Sequence, residues 1–156
     1  MDLRRMALLN QQKPGKVFLI KNGIFQVSAS DWTKHGGSNY TVDQQAGYIR
    51  YKSWGGNGKG FYIRNNSINM SSYSEAFFEI NVAVKTTYDY FGLLSFARDS
   101  SGADVAGRFL LLNKIATGTV SADLSNLSGD LYPMLCHTMY DNARTFEIRI
   151  TNAWLE

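Results

Sequence analysis

One cysteine, two prolines and two histidines among 156 residues set the first limits. The lone Cys136 cannot form an intrachain disulfide, which excludes a small scaffold held by cross-links in place of a core. Two histidines, His35 and His137, cannot supply a three-histidine metal centre, and no Cys/His cluster has the spacing of a zinc site. Charge is also sparse, at 19% of residues, and 16 basic against 13 acidic side chains leave a net of only +3. Those charges are spread along the chain, and no Lys/Arg run exceeds Arg4-Arg5. Binding to phosphate backbones needs cations gathered on one surface, so no nucleic-acid partner is expected. No apolar run approaches the roughly 20 residues that a membrane-spanning helix needs. Met6-Ala-Leu-Leu9 is too short for the apolar centre of a signal peptide. Neither a membrane span nor a recognisable signal peptide is therefore expected.

What is abundant points to sheet. Hydrophobic residues make up 44% of the chain, with 9 Tyr, 9 Phe and 14 Gly. Aromatic and β-branched runs separated by Gly, Asn, Asp and Ser favour strands joined by turns. A chain of this length buries roughly 70% of the surface it exposes when unfolded, enough for one core.

Residues 1–15 show no strand alternation. Leu3, Met6 and Leu9 recur at helical spacing before Pro14-Gly15, so they read as an N-terminal appendage, a short helix. Two strands at 16–20 and 24–27 flank Lys21-Asn22-Gly23, a hairpin signal. Residues 28–46 read as a long polar segment broken only by Trp32 and Tyr40. Further strands are expected at 47–52, 61–64, 75–87, 91–97, 105–112, 117–124, 131–138 and 144–154. In 75–87, Phe78, Ile80, Val82 and Val84 form the apolar face, opposed by Phe77, Glu79, Asn81, Ala83 and Lys85. In the last strand, Phe146, Ile148 and Ile150 face one way, and Glu147, Arg149 and Thr151 the other. Half-polar strands joined by frequent turns predict an all-β fold. Its form is a two-sheet antiparallel β-sandwich over residues 16–156.

Three segments extend this reading: Ile68-Asn-Met-Ser-Ser-Tyr-Ser74, Val120 to Gly129, and Thr151-Asn-Ala-Trp-Leu-Glu156. Ile68, Met70, Tyr73 and Ser74, then Asp123 to Gly129, then Ile150, Trp154, Leu155 and Glu156 carry a resemblance. It is to the jelly-roll, galactose-binding-like domains of phage and prophage tail-associated proteins, and of surface proteins, in Gram-positive bacteria. The match covers roughly residues 16–156, with Asn69 where the family often has an acid and Ala153 just before the tryptophan. The resemblance implies a jelly roll without catalytic machinery, on a virion tail or an extracellular bacterial surface. Asp123 and Ser125 are suited to turn hydrogen bonds. Leu124 and Leu127 are expected to plug one end of the sandwich, and Trp154 to plug the core at the far end of its strand.

Alternating connections place loops 53–59, 87–91, 113–116 and 139–143 at one end of such a sandwich. That end gathers Trp54, Asn57, Tyr88, Tyr90, Tyr140 and Asp141, rings beside amide and carboxylate groups, as sugar recognition requires. The competing reading is an ordinary solvated rim, with the Gly-rich 55–60 loop as a tight turn. The expected partner is a cell-surface glycan or wall polysaccharide. The alternative is a structural domain of an oligomeric, trimeric tail appendage, packed through Leu3, Met6 and Leu9.

Catalytic constellations are weak. Asp31 precedes His35 by four residues; Glu75, Glu79 and Glu147 are the candidates for a glycosidase carboxylate pair, but Glu79 and Glu147 read as solvent-face alternation. No cofactor is expected. Asp31, Asp43 and Glu156 are the candidates for a calcium site, with spacing that is not diagnostic. Cys136, among Leu131, Met134, Leu135 and Met139, reads as a buried inert thiol.

Overall fold

Alternation of apolar and polar residues becomes strand after strand with one side turned inward. A computed structural model describes residues 15–26, 31–35, 40–54, 60–84, 92–111, 116–137 and 145–156. In chain order the strands are β1 (Val17–Lys21), β2 (Ile24–Phe25), β3 (Trp32–His35), β4 (Tyr40–Gln45), β5 (Tyr48–Trp54), β6 (Gly60–Arg64) and β7 (Ile68–Asn69). After a 3-10 turn at Met70–Ser72 come β8 (Glu75–Val84), β9 (Gly92–Ala97), β10 (Val105–Leu111), β11 (Gly118–Asp123), β12 (Asp130–His137) and β13 (Thr145–Leu155).

They form two antiparallel sheets. The first runs β11-β8-β13, and the far edge of β13 is shared: β5 pairs with its first half and β1 with its last residues. Strand β4 extends β5, and β2 extends β1. The second sheet runs β10-β9-β12-β6-β3, with β7 paired to the start of β12. One edge of β12 passes from β7 at Leu131 to β6 at Met134. Pro133 falls in that interruption, where a residue without an N–H fits into a central strand.

Between the sheets lies one apolar cluster that includes Ile20, Ile49, Tyr51, Phe78, Leu94, Phe96, Leu135, Ile148 and Ile150. A smaller group, Ile63, Ala97 and Met134, is buried on the other side of the second sheet. Leu124 is fully buried and Leu127 packs against the core, as expected of end plugs. Ser125 N–H donates to Asp123 Oδ1 at 2.8 Å, closing the turn between them. The hairpin at Lys21-Asn22-Gly23 also forms, with φ of 53° at Asn22 and 73° at Gly23. Positive φ at both central residues matches the right-handed twist of the flanking strands.

Three expectations are corrected. The 28–46 segment is not loop throughout, because it contributes β3 and β4 to opposite sheets. Trp32 and Tyr40, which looked like interruptions of a polar segment, are the buried anchors of those strands. Val84 is 41% exposed, because the β8–β13 register slips between Val82 and Val84 and takes it off the core face. Trp154, third, faces outward. Of the expected 1–15 appendage, residues 1–14 lie outside the described residues, and so does the side chain of Cys136.

Candidate ligand-binding face

Trp154 turns outward because of a bulge. Ile150 of β13 pairs with Ile80, and the next register pair is Asn152 with Glu79, so two residues oppose one. Side-chain parity inverts across such an insertion. Ile148 and Ile150 point inward before it, and Ala153 and Leu155 after it. Asn152 and Trp154 are thereby delivered to the outer face of the first sheet.

On that face Phe18, Trp154 and Phe77 form one row across β1, β13 and β8, being direct register partners. Phe77 stacks on Trp154 with centroids 5.1 Å apart and planes at 11°, and Phe18 meets Trp154 at 6.0 Å and 41°. Such pairs contribute about 0.5–1.5 kcal/mol beyond their buried area. Lys16 Nζ lies 4.7 Å above the Trp154 ring and 3.4 Å from Glu156 Oε2, and Lys21 Nζ lies 5.0 Å from the Phe18 ring centre.

The neighbouring row is polar. Asn152 donates through Nδ2 to Glu79 Oε2, and its Oδ1 accepts from Asn22 N–H at 2.8 Å. Both ends of the Asn152 amide are therefore fixed. Between the rows lies an open recess of about 260 Å³, lined by Lys16, Phe18, Lys21, Asn22, Glu79, Asn152 and Trp154. It combines ring surface with ammonium, amide and carboxylate groups.

Beyond the recess the same face carries charge. Arg149 lies 5.2 Å over the Tyr48 ring and donates from Nε to Glu147 Oε1 at 2.9 Å. Arg50 grips both carboxylate oxygens of its cross-strand partner Asp43. That grip, chiefly the hydrogen bonds, holds the Asp43 carboxyl below the ordinary aspartate range.

Of the residues expected at a site, Trp54 is described: it ends β5 on this same face, opposite Thr145, and is 45% exposed. Asn57, Tyr88, Tyr90, Tyr140 and Asp141 lie outside the described residues. The catalytic alternatives are not brought together. Asp31 immediately precedes β3 and His35 ends it, about 13 Å apart at strand rise. Glu79 and Glu147 are about four strand steps apart along β13, again about 13 Å and beyond the span of a glycosidase pair. Glu147 is also mostly buried, not solvated as alternation implied. Asp43 is engaged by Arg50, and among the described residues no three His, Cys, Asp or Glu side chains gather to hold a metal ion.

The recess itself was missed. A sign of the aromatic row beside it was available in Phe77, which shares the polar side of β8 with Glu79 and Asn81. The bulge that adds Trp154 left no signature in the sequence.

No family model matches the sequence, and no curated protein does. Solved structures do resemble the fold. A family 11 carbohydrate-binding module from Clostridium thermocellum, in complex with a β-1,3-1,4-mixed-linked tetrasaccharide, superposes with a TM-score of 0.57 at 9% identity, covering 90% of this chain and 94% of that one. A family 29 carbohydrate-binding module gives 0.56 at 13%, with 90% and 86% covered. The K1 cleaved adhesin domain of Lys-gingipain from Porphyromonas gingivalis W83 gives 0.53 at 13%, with 92% and 98% covered. What is shared at such identities is architecture: the chain is a jelly-roll β-sandwich.

Proposed function

We propose that this domain is a non-catalytic carbohydrate-binding module that takes a polysaccharide on the outer face of its first sheet. The recess beside the Phe18–Trp154–Phe77 row carries the reading. An aromatic face stacks on the C–H face of a pyranose, and fixed polar groups take its hydroxyls. Here Glu79 is an acceptor held by Asn152, and Asn22 and Lys21 offer donors at the rim. Two of the structural neighbours being carbohydrate-binding modules supports the class of ligand.

Trp54 is a second candidate contact, at the far end of β5, with Asn57, Tyr88, Tyr90, Tyr140 and Asp141 as its expected companions. Placement on a phage tail or bacterial surface protein rests on the resemblance of 68–74, 120–129 and 151–156. An extracellular location follows from that reading. The exposed Trp54 and Val84, which flank the start of β13, favour a second reading as an assembly domain.

A glycan array that includes Gram-positive wall polysaccharides tests the proposal, followed by titration of the best ligand. Glu79→Gln and Lys21→Ala are expected to weaken binding about tenfold each, with melting temperatures within a few degrees of wild type. Trp54→Ala separates the two contacts. A protein that binds nothing on the array and runs as a stable trimer on size exclusion would favour the assembly reading.

A further inference from the structure

At the edge of the sandwich, away from the recess, three buried nitrogen donors have no acceptor among the described residues. Trp32 and Arg64 are direct register partners on β3 and β6. Trp32 Nε1, Arg64 Nε and Arg64 Nη1 are shut off from solvent and unpaired among the described residues. Trp32 is only 4% exposed, so its indole N–H cannot turn to water. Its ring is fixed by Tyr62, stacked at 5.7 Å and 11°, and by Phe25 at 5.0 Å.

Among the described residues Arg64 has no ion-pair partner either. Asp31 is the acid whose charge reaches it, yet no ion pair forms between them, and burial pulls the guanidinium below its ordinary pKa. Lys34, on the same side of β3, adds a second cation and donates to Tyr40 O at 3.2 Å. Unpaired buried donors cost about 1–3 kcal/mol each, more for charged groups. Such a set calls for an explanation, and a group from outside the chain that completes the bonding is one.

We infer that Trp32 and Arg64 form an oxyanion-binding site, occupied by a carboxylate or phosphate group of a small ligand. A guanidinium and an indole N–H suit an anionic oxygen acceptor, and neither can accept a bond in return. Arg64 is partly exposed as a residue although its Nε and Nη1 are sealed, so the approach is from the rim. The site is independent of the outer-face recess, and its test does not rely on glycan binding.

The experiment is thermal unfolding and tryptophan fluorescence at constant ionic strength, titrating sodium phosphate and sodium glucuronate separately against chloride. A saturable rise of about 3 °C at millimolar anion is expected. Trp32→Phe keeps the ring and removes the donor, and should weaken the anion response about tenfold. Arg64→Gln should abolish the response. Without anion it should melt no lower than wild type, because an uncompensated buried cation has been removed. A response to both anions marks a general oxyanion site, and one to glucuronate alone marks an acidic-sugar site; both support the inference. No response up to about 50 mM anion, a rise that never saturates, or an equal rise in Arg64→Gln overturns it.

Discussion

Gly23 and Gly47 both hold positive φ, at 73° and 83°, and only one of them is crowded. A Cβ on Gly23 would stand 2.0 Å from Tyr48 N and 2.2 Å from Gly47 C, while one on Gly47 meets nothing within 4 Å. Backbone cannot yield as a flexible side chain can, and Gly23 N–H also donates to Thr151 O at 2.8 Å. Gly23→Ala is therefore expected to cost more than about 3 kcal/mol in urea unfolding, and Gly47→Ala about 1 kcal/mol. Equal losses would show that backbone conformation alone governs both. Asp43 supports a second expectation at this scale. Its folded pKa is depressed, so the stabilisation exists above the unfolded value and is lost as pH falls through the folded one. In carboxyl NMR titration Asp43 should titrate below an ordinary aspartate, and Arg50→Gln should return it upward. Asp99 and Asp123, held low by hydrogen bonds from Ser101 and Ser125, should be unchanged in that variant.

Strand β13 shows what the sequence could and could not convey. Its existence was legible from the alternation of Ile148 and Ile150 with Glu147 and Arg149. Uninterrupted parity from Ile150 then sends Trp154 into the core, and a bulge at Thr151–Asn152 sends it out. A bulge is set by the register with β8, a non-local fact that local periodicity cannot contain. Strands β3 and β4 were hidden for a related reason. Both are short edge strands, and edge positions tolerate the polar residues of Thr-Lys-His and Asp-Gln-Gln. The outward position of Trp154 has a measurable consequence. Trp154→Ala should lose its contacts with Phe77, Phe18 and Lys16, about 1–2 kcal/mol. Phe78→Ala, one residue along β8 from Phe77 but fully buried, should lose about 3–5 kcal/mol. If chemical denaturation gives Trp154→Ala the larger loss, the outward register is wrong.

At the scale of the molecule, β13 is the hub on which the first sheet is assembled. It pairs with β8 along one edge and with β5 and β1 along the other, joining strands from the beginning, middle and end of the chain. Most of the sheet therefore closes only through contacts distant in sequence, which makes folding slow relative to helical domains of this size. The strand also buries Ile148, Ile150, Ala153 and Leu155. At about 1.5–3 kcal/mol for each larger side chain, these alone contribute roughly 5–9 kcal/mol. That equals much of the whole stability of a domain, which is about 5–15 kcal/mol. A chain ending before Thr145 is thus expected to lack a cooperative unfolding transition by circular dichroism, even though every other described strand is present. The lost edges of β8 and β5 would both be apolar and unpaired, so the truncated chain should also aggregate. A synthetic peptide of residues 145–156 added during refolding should restore the transition, since the gap it fills is bordered by three of its own pairing partners. A cooperative, soluble 1–144 fragment would show instead that the second sheet and its core fold without the first.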